Sequence, residues 1–238
     1  FKDAVDLLNT GGSITILGNY PVKSQTVVID KAILIQGAPA AQLTYEGSVC
    51  SNPLLSILNG VTLQNLSIND GNCSAISRDI LQINSAQNVN IISNTLKNGK
   101  DAINIASNSA NINFQYNLIQ DNTGYAILQQ SGTGSGQIRA VANNFANNRA
   151  GESVRCAIAG NVDHNYWGLG VSPQSGAPNC TFQAGKQLGS PIQSKTNAAG
   201  VDALMTTITA QKTYYFEDKL AFQHAPIESD FDIFVVNH

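Results

Sequence analysis

The residues with the clearest potential for chemistry are two charged pairs, Arg78-Asp79 and Lys100-Asp101, which stand 22 residues apart. If each pair opens the same strand in successive coils of a repeat, the neighbouring carboxylates would lie about 5 Å apart. Two such carboxylates could hold Ca²⁺ or serve as a glycosidase pair. Arg78 or Lys100 could then act as the base of a β-eliminating lyase. Tyr125 takes the corresponding place in the next coil.

The alternative interpretation of this charged column, with Arg155 near the corresponding place after Tyr125, is structural. Two solvated ion pairs in front of a strand would give the same pattern, and an exposed pair contributes at most about 1 kcal/mol to stability. Ca²⁺ needs about six to eight oxygen ligands, whereas Arg78 and Lys100 repel a cation. We therefore favour the structural interpretation and predict no metal or other cofactor, with Ca²⁺ as the alternative.

Three tyrosines, Tyr116, Tyr125 and Tyr166, are candidates for glycan binding, because aromatic faces pack against the apolar faces of sugars. His164 could act as an acid or a base. We expect it instead on the outward face beside Trp167, which occupies an apolar column and is predicted to lie in the core.

The four cysteines, Cys50, Cys73, Cys156 and Cys180, form no CxxC pair of the kind found in metal sites. Their even number and the low charge fit an oxidising compartment. We predict the bridges Cys50–Cys73 and Cys156–Cys180, each of which would close a loop of about one repeat. Four cysteines allow three connectivities, and the sequence leaves all three open, as well as four free thiols.

Composition excludes several classes of protein. Charged residues make up 12% of the 238 residues and the formal net charge is -3, which gives no reason to expect a nucleic-acid partner. No apolar run reaches the roughly 18 residues of a membrane span. Asparagine is abundant: 21 of 27 lie between Asn59 and Asn165. There they alternate with Ile, Val and Leu at period two, which indicates strands and turns.

A repeat organises the middle of the chain. One column consists of asparagines with steps of 23, 26 and 22 residues: Asn94, Asn117, Asn143 and Asn165. Two positions after each stands a large apolar residue: Leu96, Ile119, Phe145 and Trp167. A second column is aliphatic, with steps of 22, 24 and 31 residues: Leu81, Ile103, Ile127 and Ile158.

Coils of this length cannot bury an apolar face alone, whereas stacked coils bury one continuous core. We therefore predict an all-β parallel β-helix. Asparagine tolerates a left-handed turn and can hydrogen-bond its copy in the next coil, so the asparagine column is interpreted as a structural ladder. The rival fold, a leucine-rich repeat horseshoe, needs helices that these loops do not predict.

The two ends differ from the repeat. Phe1, Ala4, Val5 and Leu8 share one face of a short helix that would cover the first coil. The last residues are expected to form an α+β tail, a cap or the start of a further module, with a helix over 199–211, a hairpin over 213–222 and a strand over 231–236. We therefore divide the chain into a capped β-helix, 1–168, and a tail, 169–238. The start at Phe1 without a signal peptide is expected of a processed protein or an excised domain.

The first coils, FKDAVDLLNTGGSITILGNYPV and TVVIDKAILIQGAP, and the closing NYWG at 165–168 carry a family resemblance. The sequence resembles right-handed parallel β-helix repeat proteins of bacterial surfaces and secretions, with the pectate-lyase-like fold, over about two thirds of the chain. The resemblance implies a right-handed solenoid. It does not select a function, because the fold hosts lyases, glycoside hydrolases, epimerases, phage tailspikes, adhesins and carbohydrate-binding proteins.

These observations favour a non-catalytic extracellular module of a cell-surface or secreted protein, which would serve structural assembly, adhesion or weak glycan binding. The alternative is a polysaccharide lyase or glycoside hydrolase, which needs clustered charges in a long groove. The expected partners are a glycan, other surface proteins or further copies of the chain, with no nucleic acid and no membrane span.

Overall fold

The computed structural model describes residues 1–23, 26–47, 50–71, 78–106, 108–130, 136–149, 153–158, 160–167 and 179–181, together with the backbone of three C-terminal strands. These residues form a nearly all-β structure in which parallel sheets stack as a β-solenoid. The predicted fold class is confirmed.

A short helix, α1, spans Lys2–Leu7, and the strands that follow it form coils of three strands each. Coil 1 contains β1 Ser13–Ile16, β2 Asn19–Val22 and β3 Val27–Ile29, and coil 2 contains β4 Ile33–Gly37, β5 Gln42–Tyr45 and β6 Leu55–Ile57. Coil 3 contains β7 Val61–Gln64, β8 Ser67–Asn69 and β9 Leu81–Ile83, and coil 4 contains β10 Gln87–Ile92, β11 Thr95–Lys97 and β12 Ile103–Ile105. Coil 5 contains β13 Ala110–Gln115, β14 Leu118–Gln120 and β15 Ile127–Gln129, and coil 6 contains β16 Ile138–Val141, β17 Asn144–Ala146 and β18 Val154–Arg155. Two short strands follow, β19 Gly160–Asn161 and β20 Cys180–Thr181.

Each coil contributes one strand to each of three parallel sheets. Sheet A contains β1, β4, β7, β10, β13, β16, β19 and β20; sheet B contains β2, β5, β8, β11, β14 and β17; sheet C contains β3, β6, β9, β12, β15 and β18. Because neighbouring coils pair in parallel, main-chain hydrogen bonds run along the solenoid axis. Side chains of the same coil position therefore stack on one another.

The core consists of apolar columns between the three sheets. The sheet B column is in register and fully buried: Leu43, Ile68, Leu96, Ile119 and Phe145. The sheet A column is Ile35, Leu63, Ile91, Phe114 and Ala140. Each fully buried aliphatic side chain contributes about 1.5–3 kcal/mol relative to exposure. Trp167 closes the sheet B column as predicted, with its ring centroid 4.9 Å from that of Phe145.

One predicted column is wrong in its last member. Ile103 pairs with Leu81 and Ile127 as expected, but the partner of Ile127 in the next coil is Val154 and not Ile158. Val154 is buried and the following Arg155 is exposed, as the two faces of a strand require. The main-chain N–H of Ile158 instead donates to Oε1 of Gln129 at 3.1 Å.

The predicted N-terminal cap is present, since α1 lies against β3. Val5 is buried in the core, and Phe1 and Leu8 pack against that core. Lys31 Nζ donates to the main-chain oxygen of Asp6 at 2.7 Å. This contact satisfies a carbonyl near the end of the helix, where no intrahelical donor remains.

The chain divides into two compact units, Phe1–Gln187 and Leu188–His238. The first extends past residue 168 because β20 adds to sheet A. In the second, β21 Gln193–Thr196, β22 Asp202–Ile208 and β23 Phe231–Val236 form an antiparallel sheet. The predicted strand over 231–236 is confirmed, whereas the predicted helix over 199–211 is wrong, because β-branched residues at 206–208 favour a strand. The predicted hairpin over 213–222 lies outside the described residues.

Candidate functional site

The asparagine column forms a continuous hydrogen-bonded ladder between sheets A and B. Asn94, Asn117, Asn143 and Asn165 are all buried. The main-chain N–H groups of the first three donate to Oδ1 of the next asparagine at 2.9, 3.0 and 2.7 Å. In the opposite direction, Nδ2 of Asn117 donates to the main-chain oxygen of Ile91 at 2.8 Å. Each side chain thus joins neighbouring coils, as the structural interpretation predicts.

The left-handed residue of each turn is the one before the ladder asparagine. Ser93, Tyr116, Ala142 and His164 have φ values of 55, 58, 58 and 56°. The expectation that the column asparagines themselves adopt this conformation is therefore wrong. The preceding residue reverses the chain, and the asparagine side chain then points into the coil, where it can accept the N–H of its neighbour.

A second ladder, not predicted from the sequence, follows the first by five residues in coils 4 to 6. Gly99 N–H donates to Oδ1 of Asn122 at 2.9 Å, and Nδ2 of Asn122 donates to Oδ1 of Asn148 at 2.8 Å. Asp121 and Asn147, one position earlier, have φ values of 56 and 51°. The sequence signal for this ladder is that Asn122 and Asn148 each follow an asparagine of the first column by five residues.

Arg78, the first member of the charged column, is buried rather than solvated, with 3% of its surface exposed. Its Nε donates to both carboxylate oxygens of Asp70 at 2.9 Å, and its guanidinium carbon lies 3.5 Å from the ring centroid of Tyr45. Burial raises the pKa of the Asp70 carboxyl, against the opposing effect of Arg78. The guanidinium is therefore held within the fold.

Asp79 and Asp101 are stacked as predicted. Ile80 N–H donates to the main-chain oxygen of Asp101 at 3.0 Å, and Ala102 N–H donates to that of Tyr125 at 2.9 Å. Oδ1 of Asp101 accepts the main-chain N–H of Tyr125 at 2.7 Å. Asp101 is 1% exposed, so the premise of an exposed ion pair does not hold for it.

The position next to Asp101 requires glycine. A Cβ atom on Gly124 would lie 2.1 Å from Oδ1 of Asp101, well inside van der Waals contact. The turn before sheet C is therefore built around this carboxylate. Lys100 Nζ lies 3.6 Å from its other oxygen, and the lysine side chain is 52% exposed.

Asp79 is the least satisfied member of the column. Its Oδ2 accepts from Nδ2 of Asn104 at 2.7 Å, while its buried Oδ1 has no hydrogen-bond partner among the described residues. Burial is the main cause that raises the pKa of Asp79, and Asp101 raises it further against Asn104 and Lys100. Asp79 and Asp101 occupy neighbouring coils, and two neighbouring carboxyl groups can share a hydrogen bond when one of them is protonated.

The three candidate tyrosines lie at different places on the coil. Tyr116 is half-buried in the turn between sheets A and B. Tyr125 and Tyr166 are only 6% and 9% exposed, and the guanidinium carbons of Arg149 and Arg155 lie 4.7 and 5.5 Å from the Tyr125 ring centroid. Tyr166 pairs with the first residue of β17. The three rings therefore form no common platform for a sugar.

A polar surface, not predicted from the sequence, covers the outer face of sheet A. Two adjoining depressions of about 860 and 600 Å³ share Asn88, and we call them together the sheet A groove. The larger contains Leu34, Leu58, Thr62 and Gln64. The smaller contains an in-register row, Asn90, Asn113, Arg139 and Asn161. The outward residues of the alternating segments NVN, NIN and QIR were the available signal.

The amides of the sheet A groove bond to one another from coil to coil. Nδ2 of Asn113 donates to Oδ1 of Asn90 at 3.4 Å, and Nδ2 of Asn111 donates to Oδ1 of Asn88 at 3.1 Å. Nη1 of Arg139 donates to Oδ1 of Asn113 at 3.2 Å. Among the described residues that line the groove, Arg139 is the one charged side chain, and none is a carboxylate.

Cys156 and Cys180 form a disulfide with a Cα–Cα distance of 5.2 Å, as predicted. The bridge ties β20 to the segment after β18. Cys73 lies outside the described residues, so the bridge Cys50–Cys73 stays a prediction. Among the described residues, no group of three or more His, Cys, Asp or Glu is placed to hold a metal ion, and no helix meets the length and hydropathy of a membrane span.

Neither protein-family models nor curated proteins match the sequence. Among solved structures, the chain is similar to ORF18 of Geobacillus virus E2, with 14% sequence identity and a TM-score of 0.46. The similarity covers 86% of this chain and 62% of the viral chain.

Proposed function

We propose that the chain is a non-catalytic β-solenoid module of a cell-surface or secreted protein, right-handed and of the pectate-lyase-like type, that binds a glycan on the sheet A groove. The observation that carries this proposal is a contrast between two surfaces. Arg78 and Asp101 of the charged column are buried and hydrogen-bonded within the fold, whereas the side-chain amides on the outer face of sheet A line an open groove.

The charged column offers little to a substrate. Arg78 is bonded to Asp70 and stacked on Tyr45, so it is poorly placed to remove a substrate proton. Asp101 is buried and bonded to the N–H of Tyr125. A general base must come within hydrogen-bond reach of the proton that it removes. These contacts support a structural role.

The sheet A groove offers the contacts that sugars need. Asn90, Asn113 and Gln64 supply amide donors and acceptors for hydroxyl groups. Leu34 and Leu58 supply apolar surface for the C–H faces of a sugar ring. Coils repeat every 4.8 Å or so, which is about the length of one sugar in an extended chain. The Cys156–Cys180 bridge supports an oxidising compartment.

The test is binding of neutral and acidic polysaccharides by the full chain, measured by affinity electrophoresis and calorimetry. Replacing Asn90 and Asn113 together by alanine should lower affinity at least tenfold, since two groove amides are lost. Gln82→Ala, on the outer face of sheet C, is the control and should leave affinity unchanged. Absence of binding by the wild type, or equal loss in the control, would contradict the proposal.

A polysaccharide lyase or hydrolase is the second candidate, and the raised pKa of Asp79 is the observation that favours it. Incubation with acidic polysaccharides and Ca²⁺ would reveal lyase activity as absorbance of unsaturated products and hydrolase activity as new reducing ends. We expect neither above a protein-free blank. Product formation by the wild type that is abolished in Asp79→Asn would replace the module by an enzyme.

A further inference from the structure

The sheet A groove changes character along the solenoid axis. Its part on coils 2 to 4 is uncharged and contains Leu34, Thr62 and Gln64. Its part beyond coil 4 ends at Arg139 of β16 and Asn161 of β19, which are paired in register. Arg139 is exposed, and it is the point at which positive charge enters the groove lining.

We propose that Arg139, Asn113 and Asn161 form an anion subsite that binds the acidic group of a charged sugar, while the uncharged part of the groove takes neutral sugars. The proposal rests on glycan binding by this groove. It adds the class of glycan, an acidic polysaccharide, and the direction in which that polysaccharide lies along the coils.

The geometry of Arg139 carries this assignment. A guanidinium has five N–H donors. Among the described residues, the guanidinium of Arg139 donates one hydrogen bond, to Oδ1 of Asn113. That bond orients the guanidinium along the groove and leaves donors for a ligand. An arginine fork matches the two oxygens of a carboxylate, or those of a sulfate or phosphate, better than a single hydroxyl.

Asn161 supplies a second donor one coil further on. Its Oδ1 accepts the main-chain N–H of Asp163 at 3.0 Å, so its NH₂ group is the end that remains for a ligand. The side chain of Asp163 is buried and does not line the groove. Donors from two coils about 4.8 Å apart can therefore contact one anionic group together.

The experiment compares polygalacturonate with its methyl ester, which removes the charge from the same backbone, and dextran sulfate with dextran. Arg139→Gln is matched with Arg155→Gln, because both arginines are exposed strand residues, one on sheet A and the other on sheet C. We expect the wild type and Arg155→Gln to bind an acidic polymer about tenfold more tightly than its neutral form, and Arg139→Gln to lose this preference.

A preference for polygalacturonate identifies a carboxylate ligand, and a preference for dextran sulfate identifies a sulfate ligand. Equal losses in Arg139→Gln and Arg155→Gln, or no preference for either acidic polymer, would overturn the anion subsite. If neutral glycans still bound, and did so through Asn90 and Asn113, the proposed function would stand without it. If no polysaccharide bound at all, both proposals would fail together.

Discussion

Two columns of stacked side chains run along the solenoid, the four buried asparagines between sheets A and B and the aspartates Asp79 and Asp101 at the start of sheet C. Both columns place like side chains next to one another at the spacing of the coils. An asparagine has a donor and an acceptor, so each copy can bond the next. An ionised carboxylate has acceptors alone, so two of them need a proton or an outside donor between them.

The contacts show this difference. Asn117 accepts from the main chain of Asn94 and donates to that of Ile91. Asp101 needs the N–H of Tyr125, and Asp79 needs Asn104, yet Oδ1 of Asp79 still has no partner among the described residues. Stacking fixes the geometry of a column, and the donors of its side chains decide whether the column stabilises the fold.

The largest expected effect comes from Asn117→Leu, which interrupts the asparagine ladder. The main-chain N–H of Asn94 and the main-chain oxygen of Ile91 would remain buried without the side chain that bonds them. Each such group costs about 1–3 kcal/mol, so we expect a loss of about 3 kcal/mol in the free energy of unfolding. Urea denaturation followed by circular dichroism measures it.

The control for this variant is Asn113→Leu, at an outward position of sheet A. Asn113 is half-buried, and we expect a change of at most about 0.5 kcal/mol there, as for most surface substitutions. An equal loss in the free energy of unfolding of the two variants would mean that the buried ladder does not stabilise the fold more than the outward amides do. Unchanged stability of Asn117→Leu with loss of glycan binding would make the ladder a functional site.

The next largest expected effect concerns the stacked aspartates Asp79 and Asp101. Asp101→Asn should convert the pair into a short ladder, because Oδ1 can keep the N–H of Tyr125 while the new NH₂ group donates to Asp79. We expect the free energy of unfolding to rise by about 1 kcal/mol at neutral pH, the value of one added hydrogen bond. Thermal and urea unfolding at pH 7 measure this gain, and a loss of stability would contradict it.

The same pair gives a pH dependence. Burial first, and Asp101 in addition, raise the pKa of Asp79 above its ordinary value of 3.8. Folding therefore takes up a proton between the unfolded and folded pKa values. The associated stability is complete below the unfolded pKa and is lost as the pH rises through the folded pKa.

The melting temperature of the wild type should therefore fall over that pH range, and the fall should be smaller in Asp101→Asn. Asp121→Asn, an exposed carboxylate outside the pair, is the control and should follow the wild type. Asp70 contributes a fall of the same sign in all three proteins, so it cancels in the comparison. Identical pH profiles in all three would show that Asp79 and Asp101 are not coupled.

Periodicity allowed the solenoid and the partners of Asn117 to be predicted, because one repeated coil fixes which residues stack. It could not reveal the burial of Arg78, because its partner Asp70 lies eight residues earlier in the same coil, whereas periodicity relates residues of different coils. Nor could it separate Val154 from Ile158, since an insertion shifts the register and both residues fit an apolar column. The sequence shows the outward asparagines of the sheet A groove, but that they line one open surface becomes clear only when the coils are stacked.

The smallest effect concerns the residue that allows each ladder asparagine to point inward. Ala142 precedes Asn143 with a φ of 58°, which is unfavourable for an L-residue with a Cβ atom. Ala142→Gly removes that strain, and the greater freedom of glycine in the unfolded chain offsets part of the gain. We expect a net rise of about 0.5 kcal/mol in the free energy of unfolding. Ala146→Gly, in the regular strand β17, is the control and should instead lower it by about 0.5–1 kcal/mol. Equal destabilisation by both glycines would show that the turn before the ladder stores no strain, and that Asn143 reaches its partners without help from its neighbour.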